Sequence, residues 1–143
     1  MWGDEPEPEP ETENPAKETE LATAAMNNQL QTMERLIAEG VSADAKDGNG
    51  RPALHLAAKG GHLDALTLLR RHGANLDATN ADGMTAFIYA ATNGKADCAE
   101  ALVRAGCNTS LRCKDGETGR ERAQQKGHEA VVERLAAVLD KTS

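Results

Sequence analysis

The chain has 143 residues, a net charge of −7 and only three aromatic residues, Trp2, Phe87 and Tyr89. That length suits one domain of ordinary size. So few aromatics among abundant Ala and Leu favour thin stacked helical layers over a single central core. No run of apolar residues approaches the 18 or so of a membrane-spanning helix. The N-terminus lacks the basic segment and apolar core of a secretory signal. Three cysteines, Cys98, Cys107 and Cys113, make an odd set without CxxC spacing, as expected of reduced thiols inside a cell, in cytoplasm or nucleus.

The charge sits at one end. Asp4, Glu5, Glu7, Glu9, Glu11, Glu13, Glu18 and Glu20 face a single early base, Lys17, and acids balance bases in the rest of the chain. No net basic body is present to neutralise phosphates, so nucleic acid is not the expected partner. The run Glu5-Pro6-Glu7-Pro8-Glu9-Pro10-Glu11 repels itself, lacks apolar groups and is punctuated by prolines that disfavour helix. Residues 1–17 are therefore expected to be a disordered acidic tail, a solubilising segment or a handle for a basic protein.

From residue 18 to 141 the chain repeats every 33 residues. Gly50, Gly83 and Gly116 form one glycine series. Gly61, Gly94 and Gly127 form a second, with Asn28 in its earliest slot, and Gly40, Gly73 and Gly106 a third. Such a period signals stacked supersecondary units, here 18–46, 47–79, 80–112 and 113–141. Each later unit opens on a tight-turn dipeptide, Asn49-Gly50, Asp82-Gly83 or Asp115-Gly116. A helix-starting residue follows: Pro52, Thr85 or Thr118, with Thr19 in the earliest unit. Short first helices are expected over 21–27, 54–59 and 87–92, with Ala24-Ala25, Ala57-Ala58 and Ala90-Ala91 permitting close packing. The second glycine series breaks the chain before an amphipathic helix. Its apolar face is read from Leu30, Met33 and Leu36, from Leu63, Leu66 and Leu69, and from Ala96, Ala99 and Leu102. The third series falls where a left-handed helix C-cap belongs. Unit four replaces Phe87-Ile88-Tyr89 with Arg120-Glu121-Arg122 but keeps Val131, Val132 and Leu135, the pattern of a polar end cap.

The segment Leu54-His55-Leu56-Ala57-Ala58-Lys59-Gly60-Gly61-His62, ending at His72-Gly73-Ala74-Asn75, resembles the ankyrin signature. The resemblance covers most of the chain and implies an all-α solenoid of helix-turn-helix units joined by short β-turn or hairpin loops. Departures are the absence of an intact Thr-Pro pair and the survival of the motif histidine only as His55. The family implies protein binding through a concave face built from turn tips and first helices. Carried over by position, that face holds Asn49, Arg51, Leu56 and Lys59 from unit two. Unit three contributes Asp82, Met84, Tyr89, Thr92 and Asn93, and unit four Lys114, Glu117, Arg122 and Lys126. Leu56, Tyr89 and Arg122 share one open slot of the first helix, and Tyr and Arg are favoured interface anchors. Tyr89 is either the leading anchor or the filler of a gap between units.

No chemistry is written in the remaining residues. His62 and His128 are two units apart, too far to share a zinc ion. Cys98 aligns with Ala65 and Val131 and is expected to be packed, whereas Cys107, after a capping glycine, is expected to be partly exposed. The run Asp44-Ala45-Lys46-Asp47-Gly48-Asn49-Gly50 puts a lysine where a calcium loop needs an oxygen ligand. No phosphate loop or nucleophile elbow is present. A non-catalytic, monomeric protein-binding module without metal or cofactor is the expectation. The alternative is an acidic-tail chaperone or assembly factor for a basic partner.

Overall fold

The structure, a computed structural model, describes residues 15–139. The described chain forms eight helices: α1 (Pro15–Met26), α2 (Leu30–Ala38), α3 (Ala53–Gly60), α4 (Leu63–Arg71), α5 (Ala86–Thr92), α6 (Ala96–Arg104), α7 (Gly119–Gln125) and α8 (Glu129–Leu139). They stack as four hairpins. The first helices make one row, α1 on α3 on α5 on α7, and the second helices another, α2 on α4 on α6 on α8. The architecture is the all-α repeat solenoid that the 33-residue period implies.

Backbone handedness sets the units. All nine glycines of the three series have positive φ, between 71° and 103°, and Asn28 (φ 56°) is the only non-glycine residue with positive φ among the described residues. In the turns at the unit tips only the glycine takes this conformation. Gly50 N–H donates to Asp47 C=O (2.9 Å) and Asp47 N–H to Arg51 C=O (3.0 Å), and the same pair of bonds recurs from Asn80 and from Cys113. This is a three-residue loop closed by a glycine bulge, so Asn49, Asp82 and Asp115 need no left-handed conformation. One isolated antiparallel bridge, Lys46 to Pro52, is all the sheet structure among the described residues.

The helix starts differ from slot to slot. Thr85 Oγ1 accepts from Ile88 N–H (3.1 Å) and Thr118 Oγ1 from Glu121 N–H (3.2 Å). Pro52 takes the cap position itself rather than the first helical turn and supplies no such bond. Thr19 lies inside α1, which begins at Pro15 and takes in Ala16 and Lys17 as well, residues that composition assigned to the tail. Proline suits a helix's first turn, and Lys17 is anchored by an ion pair to Glu39 at the end of α2 (3.0 Å). The expected disorder of residues 1–14 lies outside the described residues.

The core runs between the rows. Ala24, Ala25, Ala57, Ala58, Ala90 and Ala91 are buried and let the first helices approach closely. Met33, Leu36, Leu66, Leu69, Leu102, Val131 and Leu135 fill the layer beneath the second helices. Burying each of these larger chains is worth about 1.5–3 kcal/mol. Leu63 departs from the expected face and is 37% exposed. At the start of α4 it turns away from the stack, and Ala65 and Leu68 complete the buried stripe. Between layers, Asp44 Oδ1 accepts from Asn75 N–H and Asp77 Oδ1 from Asn108 N–H, both at 2.7 Å.

Candidate protein-binding surface

The turn tips and first helices of units two to four form two adjoining clefts. One, of about 250 Å³, lies among Asp82, Met84, Tyr89, Lys114 and Arg122. The other is a notch lined by Arg51, His55, Leu56, Lys59, Asn80 and Tyr89. Tyr89 is the wall between them. Eight of the expected contact residues are thus brought together. Asn49 sits exposed at its turn tip, its N–H held by Asp47 Oδ1 (2.9 Å). Thr92 and Asn93 lie at the end of α5, where Asn93 Nδ2 donates to the Tyr89 carbonyl (2.8 Å) and caps the helix.

Exposure separates these residues. Leu56 (5%) and Met84 (8%) are floor rather than contact surface. Arg122 is held from several sides. Its Nε donates to Thr92 Oγ1 (2.9 Å), and its Nη1 lies 3.4 Å from Glu117 and 3.9 Å from Asp115. It ties unit four to unit three. Lys114 and Asp82 pair with each other across neighbouring tips (3.0 Å), and Lys114 N–H donates to the Asp82 carbonyl. That pairing raises the Lys114 pKa. Arg51 Nε donates to Asp47 Oδ2 (2.7 Å). Burial pushes the Asp47 carboxyl up, but donors from Arg51 and Asn49 together outweigh it and hold the carboxyl below its ordinary value. Lys59 and Asn49 are exposed, as is Lys126 in unit four.

Tyr89 is half-buried and fixed at both ends. Asn80 Nδ2 donates to its hydroxyl (2.7 Å), and its ring lies 5.4 Å from the His55 ring at an interplanar angle of 52°. It both bridges units two and three and presents an edge to each cleft. Asn80 was missed in the sequence, although its role was signalled there. It fills the same slot as Asp47, the opening position of a tight turn, where Asx residues are favoured. Its Oδ1 accepts from Asp82 N–H and Met84 N–H as Asp47 Oδ1 accepts from Asn49 and Arg51.

His55 is 3% exposed. Its Nε2–H donates to the Ala78 carbonyl (2.9 Å), and its Nδ1 is buried without a partner. Burial lowers its pKa, the Ala78 bond opposes that, and the Lys46 charge adds to it. His128 likewise donates to the Thr92 carbonyl (2.9 Å) and packs over Gly94, a structural use. Cys98 is fully buried and its thiol is pushed up to about 11 by burial and the nearby Asp97. Cys107 is half-buried, its thiol pushed up to about 12 by burial and by Asp77. Neither is a nucleophile near neutral pH. Among the described residues no three His, Cys, Asp or Glu side chains converge as a metal site, and no helix is long and apolar enough to cross a membrane.

No curated protein matches the chain. The family model described as ankyrin repeats (many copies) matches residues 21–70 and 57–103. Ankyrin repeats generally mediate protein–protein interaction. The two overlapping matches span more than half of the sequence and coincide with the first three stacked hairpins, so the chain belongs to the ankyrin-repeat family.

Proposed function

We propose that this protein is a non-catalytic binding module, an adaptor or inhibitory subunit that engages a partner protein on the face formed by its turn tips and first helices. The observation that carries the reading is the shared wall at Tyr89, which two clefts built from three successive units both use. A rigid, amphipathic ring fixed by Asn80 and His55 loses little freedom on binding. Exposed Arg51, Lys59 and Asn49 around it supply polar contacts. Affinity capture with the wild type and with a combined Arg51→Ala, Lys59→Ala, Tyr89→Ala variant tests this. Specific partners are expected to be lost from the variant while its helical content stays unchanged. Equal capture by both proteins refutes the assignment of the face.

The concentration of negative charge in residues 4–13 favours a second reading, a chaperone or assembly factor that holds a basic partner by its acidic segment. Such capture would survive the three repeat substitutions and fall steeply with salt.

A further inference from the structure

Two asparagines precede a glycine in this chain, Asn49 before Gly50 and Asn93 before Gly94. A glycine nitrogen has no Cβ beside it to hinder its approach to the preceding side chain. The sequence treats the two pairs alike, and the fold does not.

Asn93 is locked. Its Nδ2 donates to the Tyr89 carbonyl (2.8 Å), four residues back along α5. Lys95 N–H donates to Ala90 C=O (2.8 Å), and the His128 ring packs over Gly94. Bringing the Gly94 nitrogen to Asn93 Cγ means unwinding the end of α5.

Asn49 is held only through its backbone. It is exposed at the tip of unit two, its N–H donates to Asp47 Oδ1 (2.9 Å), and its side-chain amide has no partner among the described residues. The tips of units three and four are clasped together. Lys114 N–H donates to Asp82 C=O (2.9 Å), their side chains pair (3.0 Å), and a Cβ on Gly83 would lie 3.2 Å from Lys114 N. Between units two and three that clasp is missing. Ala81 stands where Lys114 does, its N–H makes no bond to Asn49 C=O, and a Cβ on Gly48 or Gly50 would meet nothing within 4 Å. The Gly50 nitrogen is engaged by one bond, to Asp47 C=O (2.9 Å), and breaking it disturbs no helix and no neighbouring unit.

We propose that Asn49 is a spontaneous modification site, which loses ammonia in the folded protein and places a carboxylate on the tip of the partner-binding face. The Gly50 nitrogen gives its proton to hydroxide and attacks Asn49 Cγ. The new N–Cγ bond closes a five-membered imide, the Cγ–Nδ2 bond breaks, and ammonia leaves with a proton from water. Water then opens the ring. Cleavage at Cγ gives aspartate, and cleavage at the Asn49 backbone carbonyl gives an isoaspartyl link with a free carboxylate. The balance is one water in and one ammonia out, with no electron transfer. Asp82 and Asp115 occupy the same slot in units three and four, so the fold accepts a carboxylate there. Asp82 is neutralised by Lys114, whereas Ala81 offers position 49 no cation. The new charge therefore stands unpaired next to the Asp47–Arg51 ion pair. Its effect on binding rests on the reading of the face given above, and the chemistry at Asn49 does not.

The test uses the full-length chain and needs no partner. The protein is held at mildly alkaline pH, folded and in guanidinium, and sampled by peptide mass mapping. Modified peptide is heavier by the difference between OH and NH2, and the Asn49→Asp chain marks the aspartyl product in chromatography. In the folded protein Asn93 is expected to react about tenfold more slowly than Asn49, the factor that about 1.4 kcal/mol of hydrogen bonding supplies. In guanidinium the two rates should converge. Asn49→Asp should melt with the wild type and change amide shifts only around the unit-two tip. Equal rates at the two sites in the folded protein overturn the proposal, as does an Asn49 that reacts only once the chain is unfolded. A lower melting temperature for Asn49→Asp would refute the claim that the slot accepts the product. None of these failures touches partner capture by the face, which the triple variant tests separately.

Discussion

Replacing Pro52 by Thr should stabilise the protein, and the reason lies in its equivalents one and two units along. Thr85 and Thr118 each accept the N–H three residues ahead, and the Thr118 hydroxyl also donates to the Glu121 side chain (3.2 Å). In unit two the residue three ahead is His55, whose Nδ1 has no partner because its Nε2–H is committed to Ala78. A hydroxyl at position 52 can accept from His55 N–H and donate to His55 Nδ1. The cap is worth about 1 kcal/mol and pairing the buried nitrogen about 1 kcal/mol more. Losing proline frees the unfolded chain and costs about 0.4–1 kcal/mol. The net gain is about 1 kcal/mol, or about 3–5 °C in Tm for a chain of this size. Pro52→Val removes the proline and keeps the shape of Thr without the hydroxyl, so it isolates the polar contribution. In calorimetry the order of melting should be Thr above Pro above Val. A Thr variant that melts no higher than the Val variant would refute the reasoning about both the cap and the histidine.

Three other outcomes follow from single contacts. Gly119→Ala places a Cβ 2.7 Å from Phe87 Cε2 and 2.9 Å from its Cδ2, on a ring that is 1% exposed; denaturant unfolding should show a loss of about 1–3 kcal/mol. The control Gly48→Ala, which meets nothing within 4 Å, should be near neutral. Asp77→Ala removes the acceptor of Asn108 N–H (2.7 Å); hydrogen exchange at Asn108 should accelerate, with about 1 kcal/mol lost overall. His55 has a folded pKa below its ordinary 6.5, so the unfolded chain takes up its proton first as pH falls. Its contribution is full above 6.5 and declines as pH drops below that value toward the folded pKa, at no more than about 1.4 kcal/mol per pH unit. An NMR titration that placed the His55 midpoint at or above 6.5 would contradict its burial as a neutral ring.

The repeat was legible because its markers are local and chemical. A left-handed residue is cheap only for glycine and tolerable for asparagine, so the three glycine series with Asn28 reported backbone shape directly. Small residues at Ala57-Ala58 and Ala90-Ala91 and the alternation of short helices needed no knowledge of neighbours. The side of the stack on which a residue lies was legible for the same reason, since position within a repeat fixes it. Roles within the binding face were not. Leu56 and Met84 are submerged, Arg122 is bound to Thr92, and Tyr89 is aimed by Asn80 and His55. Several of these contacts join residues about 30 positions apart, and their geometry depends on how one unit settles on the next. Thr19 shows the same limit in unit one, where residues 15–18 are helical and α1 runs through the slot that caps its later counterparts. Sequence by itself determined the repeating unit, because steric rules act residue by residue. Only the tertiary stack decided which side chains are left for a partner, because burial is conferred by whatever lies in the adjoining layer.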